Sequence, residues 1–442
     1  MEITHHCNSF VSIKSGKSVI ACDPWVGLAD QNAWLSYPLH NNGVKILNKL
    51  KPNYIYISHL HCDHFDKKLL LKFKKKNIKI IIKNFVNKRL KTKIEDLGYK
   101  NILELKEWDK IKLNKDFTIS IIPQITSNNS NIPEQINYDL DTSILIKSNN
   151  TKEVFFNAVD NPLSIKDLKK INSYSKNIFK KKIDILCLPV GAAGEYPQCF
   201  LNINRNKEKN KIIKDSLPIL NKQLETINPK VFFPAGGSYY IFGKFSSLNK
   251  FIARPEFKEI AKKVKDKSIK LFNLEGGSTL VKHKNEWVSL VNNKIKPPKK
   301  IISLYQNKRY FYERNFSKIK IDQVDKIFEI SKLKYYKILK NFKIKTNWDI
   351  EFLIYKDLIL NNDKKIDIKK SKFIKKYYLQ KKKLKKNNYS KLYCHLDKKL
   401  FYGLLNRNYV WNQPLAGSLI LFERKPNIFD PNVIFSLNFL GK

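Results

Sequence analysis

The chain has 442 residues, of which 42% are hydrophobic and 12% aromatic, so it is no disordered polymer and can bury a large core. No apolar run approaches the roughly eighteen residues of a membrane span and no secretory leader opens the chain, so no membrane contact and a cytoplasmic residence are expected. The formal charge of +46 comes mostly as Lys spread over the whole length among abundant Asn and Ile, a mixture that A/T-rich codons produce in any protein, and nucleic acid is not the expected partner.

In chain order, residues 1–25 read as two strands, the second broken by Asp23-Pro24. Gly27 to Gly43, with Trp34, Tyr37 and Pro38, reads as a long loop that shapes a pocket. Tyr54-Ile55-Tyr56-Ile57 alternates as a short buried strand. Directly after it comes His59-Leu60-His61-Cys62-Asp63-His64, three imidazoles and a carboxylate within one hexapeptide. His59 and His61, two apart, point to one side of an extended chain, and Asp63 and His64 follow round the turn toward a second position. Neutral imidazole with carboxylate suits one or two zinc ions, with iron or manganese as runners-up. A helix-like stretch, Lys67–Phe73, follows.

Ile-rich strands are predicted over Ile78–Ile82, Phe117–Ile122, Ser143–Ile146, Val154–Asn157, Ile183–Pro189 and Val231–Pro234. Helices intervene, notably Arg205–Ile227, where Pro218 predicts a break or a second helix start. This alternation gives an α/β class and suits an α/β/β/α sandwich. Pro297-Pro298-Lys299-Lys300 marks a boundary between a first domain, 1–296, and a basic extension, 297–442, mainly helical with short terminal strands. Within the extension, Lys364–Lys386 is read as a helix with Ile374, Tyr377, Tyr378 and Leu384 on one face. Leu392 to Leu440 has its own aromatic character and either roofs a pocket, with Arg424 toward an anionic ligand, or leaves Arg424 in a surface pair with a Glu, the reading the residues favour.

The hexapeptide resembles the HxHxDH signature of the metallo-β-lactamase superfamily. The opening hairpin, ending in Asp23-Pro24-Trp25, resembles branches related to the ascorbate-phosphate lactonase and the metal domain of the CMP-N-acetylneuraminate hydroxylase. Val154–Asp160 is similar to the strand that delivers the metal-bridging aspartate, and Tyr196–Cys199 and Pro234–Gly237 are similar to short motifs of hydroxylase-like members. The resemblance spans roughly residues 1–290. It implies metal ligands His59, His61, Asp63, His64 and Asp160, a proton-accepting Asp63, and substrate contacts from Trp25, Ser238 and Tyr239.

The chain departs from that family in two places. No histidine lies between His64 and His283. The first missing ligand falls near Ile121–Ser127, where only Gln124, Thr126 and Ser127 are polar, and the last near Gly236–Tyr240. What remains is His59, His61 and Asp160 for one ion and Asp63, His64 and Asp160 for a second. His5 or His6 is expected at the site edge, His283 on an exposed strand, His395 in a structural place and His40 in a loop.

The expected activity is metal-dependent hydrolysis, by metal-activated water, of a polar, anionic, carbohydrate-derived or related small molecule. Two alternatives compete: a hydroxylase-like modifier of sugar nucleotides, and a nucleic-acid-binding or nuclease protein. The six cysteines have no CxxC spacing, and Cys62-Asp63-His64 is the single Cys-x-His, where a Rieske cluster needs two such pairs, so the hydroxylase alternative requires an external electron donor. Oligomeric state is not legible in the sequence.

Overall fold

The computed structural model describes the chain except for Asp30, 39–41, 126–131, 138–139, Ala193, Ser238, 292–307, Ser317, 362–364 and 380–389. The expected boundary at Pro297–Lys300 lies outside the described residues, as do His40, Thr126, Ser127 and Ser238.

Two sheets carry the first part of the chain. The eight-stranded sheet runs, edge to edge, Glu286–Leu290, Ser278–His283, Glu2–Cys7, Phe10–Ser15, Ser18–Cys22, Tyr54–Tyr56, Lys79–Lys83 and Ile102–Leu105. The seven-stranded sheet runs Lys270–Leu271, Val231–Pro234, Ile185–Leu188, Val154–Asn157, Thr142–Ser148, Phe117–Pro123 and Ile111–Lys112. Period-two alternation decides which residue enters which core. Tyr54 and Tyr56 face the inter-sheet core with Ile119, Ile144, Phe155 and Ile185. Ile55 and Ile57 face the other way, onto Leu69 and Leu70 of the Lys67–Lys72 helix and Leu90 and Ile94 of the Arg89–Glu95 helix. On the far sheet, Leu145, Phe156, Leu186 and Phe232 meet Leu168 and Ile171 of the Ile165–Phe179 helix and Leu217, Leu220 and Leu224 of the Arg205–Ile227 helix. Each layer therefore buries one face against a sheet, and the α/β/β/α sandwich is complete.

The helix Arg205–Ile227 is continuous, with Pro218 inside it; the predicted break is corrected. Pro218 removes one backbone donor, but Leu217, Leu220 and Leu224 on either side pack on the sheet and hold the helix together. The Gly27–Gly43 segment is also more ordered than a loop: Leu28–Ala29 and Trp34–Ser36 pair with each other, and Trp34–Ser36 pairs with Tyr239–Ile241.

The extension is helical over Phe311–Asn315 and Ile321–Asn341 and then builds a four-stranded sheet in the order Phe373–Leu379, Trp348–Tyr355, Ser390–Asp397, Leu421–Lys425. The helix expected over Lys364–Lys386 is corrected where it is described: Ile374, Tyr377 and Tyr378 lie on the edge strand Phe373–Leu379, paired along Ile350–Tyr355, while Leu384 falls outside the described residues. Tyr377 points inward and stacks near Phe328 and Phe401, whereas Ile374 and Tyr378 face solvent. The extension shares one hydrophobic core with the first part, in which Trp25, Trp34, Phe200, Tyr239 and Phe245 meet Phe352, Phe401, Trp411 and Phe422. No described helix is long and apolar enough to cross a membrane.

Candidate metal centre

The strands Tyr54–Tyr56 and Val154–Asn157 end at the same edge of the sandwich, the first running into the hexapeptide and the second into Asp160. Between them, Thr142 opens the strand Thr142–Ser148, which pairs antiparallel with Val154–Asn157 and so starts where that strand ends. Tyr56 Oη lies 2.7 Å from Thr142 Oγ1, which donates to Ser58 O at 2.7 Å, and Ser9 Oγ donates to Asp63 O at 2.7 Å. These bonds fix the ligand loop to the two sheets.

Two overlapping donor sets result. His59, His61 and Asp141 place three ligand atoms within 4.8 Å of one another, and so do His59, His64 and Asp160. His59 Nε2 lies 2.8 Å from His61 Nδ1 and 3.3 Å from Asp141 Oδ1. His64 Nε2 lies 3.1 Å from Asp160 Oδ2 and 3.5 Å from Asp63 Oδ2. On its other side, His64 Nδ1 faces Asp23 Oδ2 at 3.0 Å, and Asp23 accepts from Ser58 N at 2.8 Å.

Electrostatics separate the three rings. Burial, then the neighbouring rings of His64 and His61, hold His59 well below the usual imidazole range, so it is neutral and able to ligate. Burial pushes His64 the same way, but Asp63, Asp160 and Asp23 outweigh it and raise this ring well above that range. Burial would raise Asp63, yet His64 and His61 bring its carboxyl below the ordinary range and keep it ionised. The proton on His64 thus stands where a cation is called for. Three imidazoles and several carboxylates converging at one edge of the sandwich form donor sets that fit a divalent ion of the zinc, iron or manganese kind.

Two conformational details place Asp160. Val159, a β-branched residue, sits at φ +52° directly before it, a strained geometry of the sort found at functional sites. Gly236 has φ +92°, and a Cβ there would lie 3.3 Å from Asp160 Oδ1 and 3.4 Å from Pro189 Cβ. Glycine is needed there on both counts.

The structure therefore brings together His59, His61, Asp63, His64 and Asp160 and keeps Asp160 with His64, as the second set of the sequence reading has it, but places Asp141 rather than Asp160 beside His59 and His61. Asp141 was missed. A carboxylate near the place sought at Ile121–Ser127 is offered just before the neighbouring strand: Pro123 pairs with Thr142, and Asp141 N donates to Gln124 Oε1 at 3.0 Å. A search for aspartate as well as histidine, one strand further on, would have found it. Asp23 was seen as part of a motif, not as the group that orients His64.

His61, Asp63, Asp141 and Asp160 open onto a cavity of about 770 Å³. Trp34 and Tyr239 line it, and the extension closes it with Leu415, Phe429 and Phe435. Trp25, expected to contact substrate, does not line this cavity. Trp25 is wholly buried, 5.8 Å from Trp34, and Trp34 is the ring that reaches the cavity. Arg424 does not line the cavity either; it stacks over Tyr196 and Phe200 and donates from Nε to Asn427 Oδ1 at 2.8 Å.

The outlying histidines are occupied elsewhere. His5 Nε2 lies 2.8 Å from Asn8 O and His6 Nε2 lies 2.9 Å from Ser12 Oγ, and neither belongs to a donor set among the described residues. His283 is exposed, and His395 is buried 3.1 Å from Tyr355 Oη and 3.3 Å from Glu423. None of the six cysteines forms a disulfide, and Cys62 packs against the extension's core. A third acidic group, Glu313, Asp357 and Asp397, has ligand-like spacing, but Lys244 Nζ fills it, 2.7 Å from Asp357 and 2.8 Å from Asp397.

No family profile matches the sequence. It is 30% identical over 125 residues, 28% of its length, to a Mycobacterium tuberculosis protein provisionally named a Rieske 2Fe-2S iron–sulfur protein. It is 29% identical over 151 residues, 33% of its length, to the cytidine monophosphate-N-acetylneuraminic acid hydroxylase of Asterias rubens. These matches span only about a quarter of the curated relatives' own length, 24% and 21%. Among solved structures it is similar to the metallo hydrolase Igni18 from Ignicoccus hospitalis, with 16% identity, a TM-score of 0.43, and 66% of this chain and 99% of that one covered. It is also similar to CmlA, a diiron β-hydroxylase from Streptomyces venezuelae, with 14% identity, a TM-score of 0.41, and 62% and 53% covered. Two packed sheets, outer helices and donor sets at one edge of the sandwich make the chain an α/β/β/α sandwich with its candidate metal centre at the strand ends.

Proposed function

We propose that the chain is a metal-dependent hydrolase acting on a small molecule held in the cavity between the ligand loops and the extension. The observation that carries this reading is the pair of donor sets sharing His59 and opening onto that cavity. His59, His61 and Asp141 would hold one ion, and His64 and Asp160, with Asp63 beside them, a second. A divalent ion held there supplies Lewis acidity and lowers the pKa of water toward 7.

The chain's own residues do the rest. Asp63, ionised and facing the cavity, accepts the proton of the attacking water. Asp23 keeps the His64 Nε2 edge turned toward Asp160. Trp34, Tyr239 and the extension exclude bulk water from the reacting atoms. The anionic, carbohydrate-derived substrate expected from sequence gains no cationic side chain from the described cavity wall.

The test is metal analysis of the purified chain together with hydrolysis of an ester, lactone and amide panel before and after chelation. Stoichiometric zinc, iron or manganese and chelator-sensitive hydrolysis lost in His61→Ala are expected. Absence of bound metal from metal-replete preparations, with no hydrolysis on adding any of the three, would overturn the reading.

A hydroxylase reading has one supporting observation, the similarity to the Asterias hydroxylase, and the carboxylate-rich donor set suits iron as well as zinc. It needs a reductant outside this sequence. Oxygen consumption by the iron-loaded chain with a reductase, against none with zinc, separates the two readings.

A further inference from the structure

The cavity wall is at odds with the rest of the molecule. The chain carries 85 Lys and Arg, yet among the described residues lining the cavity there is not one. The charged groups that face it are acidic: Asp63, Asp141 and Asp160 at the ligand loops, and Glu195 on a separate loop. The remaining polar side chains on the wall are uncharged amides and hydroxyls, such as Gln223, Asn412, Ser164 and Tyr196. Opposite them stands an apolar wall of Leu163, Leu415, Phe429 and Phe435, the last three from the extension.

Away from the donor sets, a phosphate, sulfate or carboxylate brought here would lose its water without meeting a cationic side chain, and that loss is costly for an ion. Sites built for such groups supply Arg or Lys forks or a helix N-terminus; the N-cap on this wall, Ser164, is already closed by a capping box with the Asp167 carboxylate, an acidic group unsuited to an anion. Burial also pushes the Glu195 carboxyl up, toward the neutral form that donates to an uncharged acceptor. A cavity of about 770 Å³ lies in the range used for small organic ligands, which are held mainly by apolar contact and oriented by a few polar groups.

We propose that the substrate is uncharged away from its reacting group and carries an apolar body seated against the extension's Leu415, Phe429 and Phe435. This rests on the reading of the cavity as the substrate site and narrows it to a class that the sequence did not suggest.

Two probes with one aromatic body test it: 1-anilinonaphthalene, which is neutral, and 8-anilinonaphthalene-1-sulfonate, which adds one anionic group. Each is titrated by fluorescence into the full chain, both chelator-treated and zinc-loaded, and into Phe429→Ala and Phe435→Ala. Phe429 is 54% exposed, so its truncation does not threaten the fold. The comparison concerns the variant-sensitive binding alone, because a chain of charge +46 attracts the sulfonate over its whole surface.

The neutral probe is expected to bind this site at least about tenfold more tightly than the sulfonate, and to weaken about three- to tenfold in each variant. Variant-sensitive binding of the sulfonate equal to or tighter than that of the neutral probe overturns the proposal. So does the lack of any variant-sensitive binding by the neutral probe. Neither readout involves turnover, so loss of the hydrolase reading and loss of this one give different results.

Discussion

Asp23 Oδ2 lies 3.0 Å from His64 Nδ1 and accepts from Ser58 Oγ at 2.7 Å, so one buried carboxylate sets the edge that His64 presents to Asp160. Partners of this kind fix the ring and raise its basicity, and their removal typically costs 10–100-fold in metal affinity. Asp23→Ala is therefore expected to weaken zinc binding by roughly that factor, read by competition against a chromophoric chelator. Unchanged affinity in a variant with a native circular dichroism spectrum would show that His64 is held by other contacts.

Asp141 makes a sharper test, because it belongs to one donor set and Asp160 to the other. Asp141→Ala should weaken the His59–His61 position while leaving His64 and Asp160 able to bind, and Asp160→Ala should do the reverse. Calorimetric zinc titration is expected to show a step weakened by roughly tenfold or more in each single variant, and no tight step in the double variant. If Asp141→Ala binds like the parent, the carboxylate 3.3 Å from His59 is not a ligand.

What the sequence revealed and what it hid follow from the range of the interactions. The alternation of Tyr54, Ile55, Tyr56 and Ile57 is local, and it placed the hexapeptide at a strand end. Asp160 was legible only through the resemblance of Val154–Asp160 to a superfamily strand. Asp141 was hidden because its position depends on the pairing of Pro123 with Thr142, a register that nothing within either segment specifies. The lysine-rich stretch around Tyr377 has helical spacing but becomes an edge strand, because Trp348–Tyr355 offers it a partner. Trp25 and Trp34 are both aromatic and close in sequence, and only the pairing of Trp34–Ser36 with Tyr239–Ile241 decides which one faces the cavity.

Lys244 joins the two parts of the chain. Its Nζ lies 2.7 Å from Asp357, 2.8 Å from Asp397 and 3.6 Å from Glu313, and Tyr312 Oη also donates to Asp397. Without the ammonium, the buried Asp397 would face two other carboxylates unpaired. Lys244→Met is expected to destabilise the fold by about 3 kcal/mol, since breaking one side of a buried ion pair strands the other. Urea unfolding monitored by Trp fluorescence measures it. A loss under about 1 kcal/mol would mean that solvent already screens the cluster.

Asp66 supplies the pH dependence. It caps the Lys67–Lys72 helix by accepting from Leu69 N at 2.9 Å, yet burial pushes its carboxyl up from 3.8 to about 6. A carboxyl raised on folding binds more protons in the native state, so its contribution is fully present below pH 4 and falls as pH rises through about 6. The full difference of about two units corresponds to about 3 kcal/mol lost by neutral pH. Asn is an equally good cap without the charge. Asp66→Asn should therefore leave stability at pH 4 nearly unchanged and raise it at pH 7.5 by about 1–3 kcal/mol, measured by denaturant unfolding at both values. Equal effects at the two pH values would show that Asp66 is not charged at a cost in the folded chain.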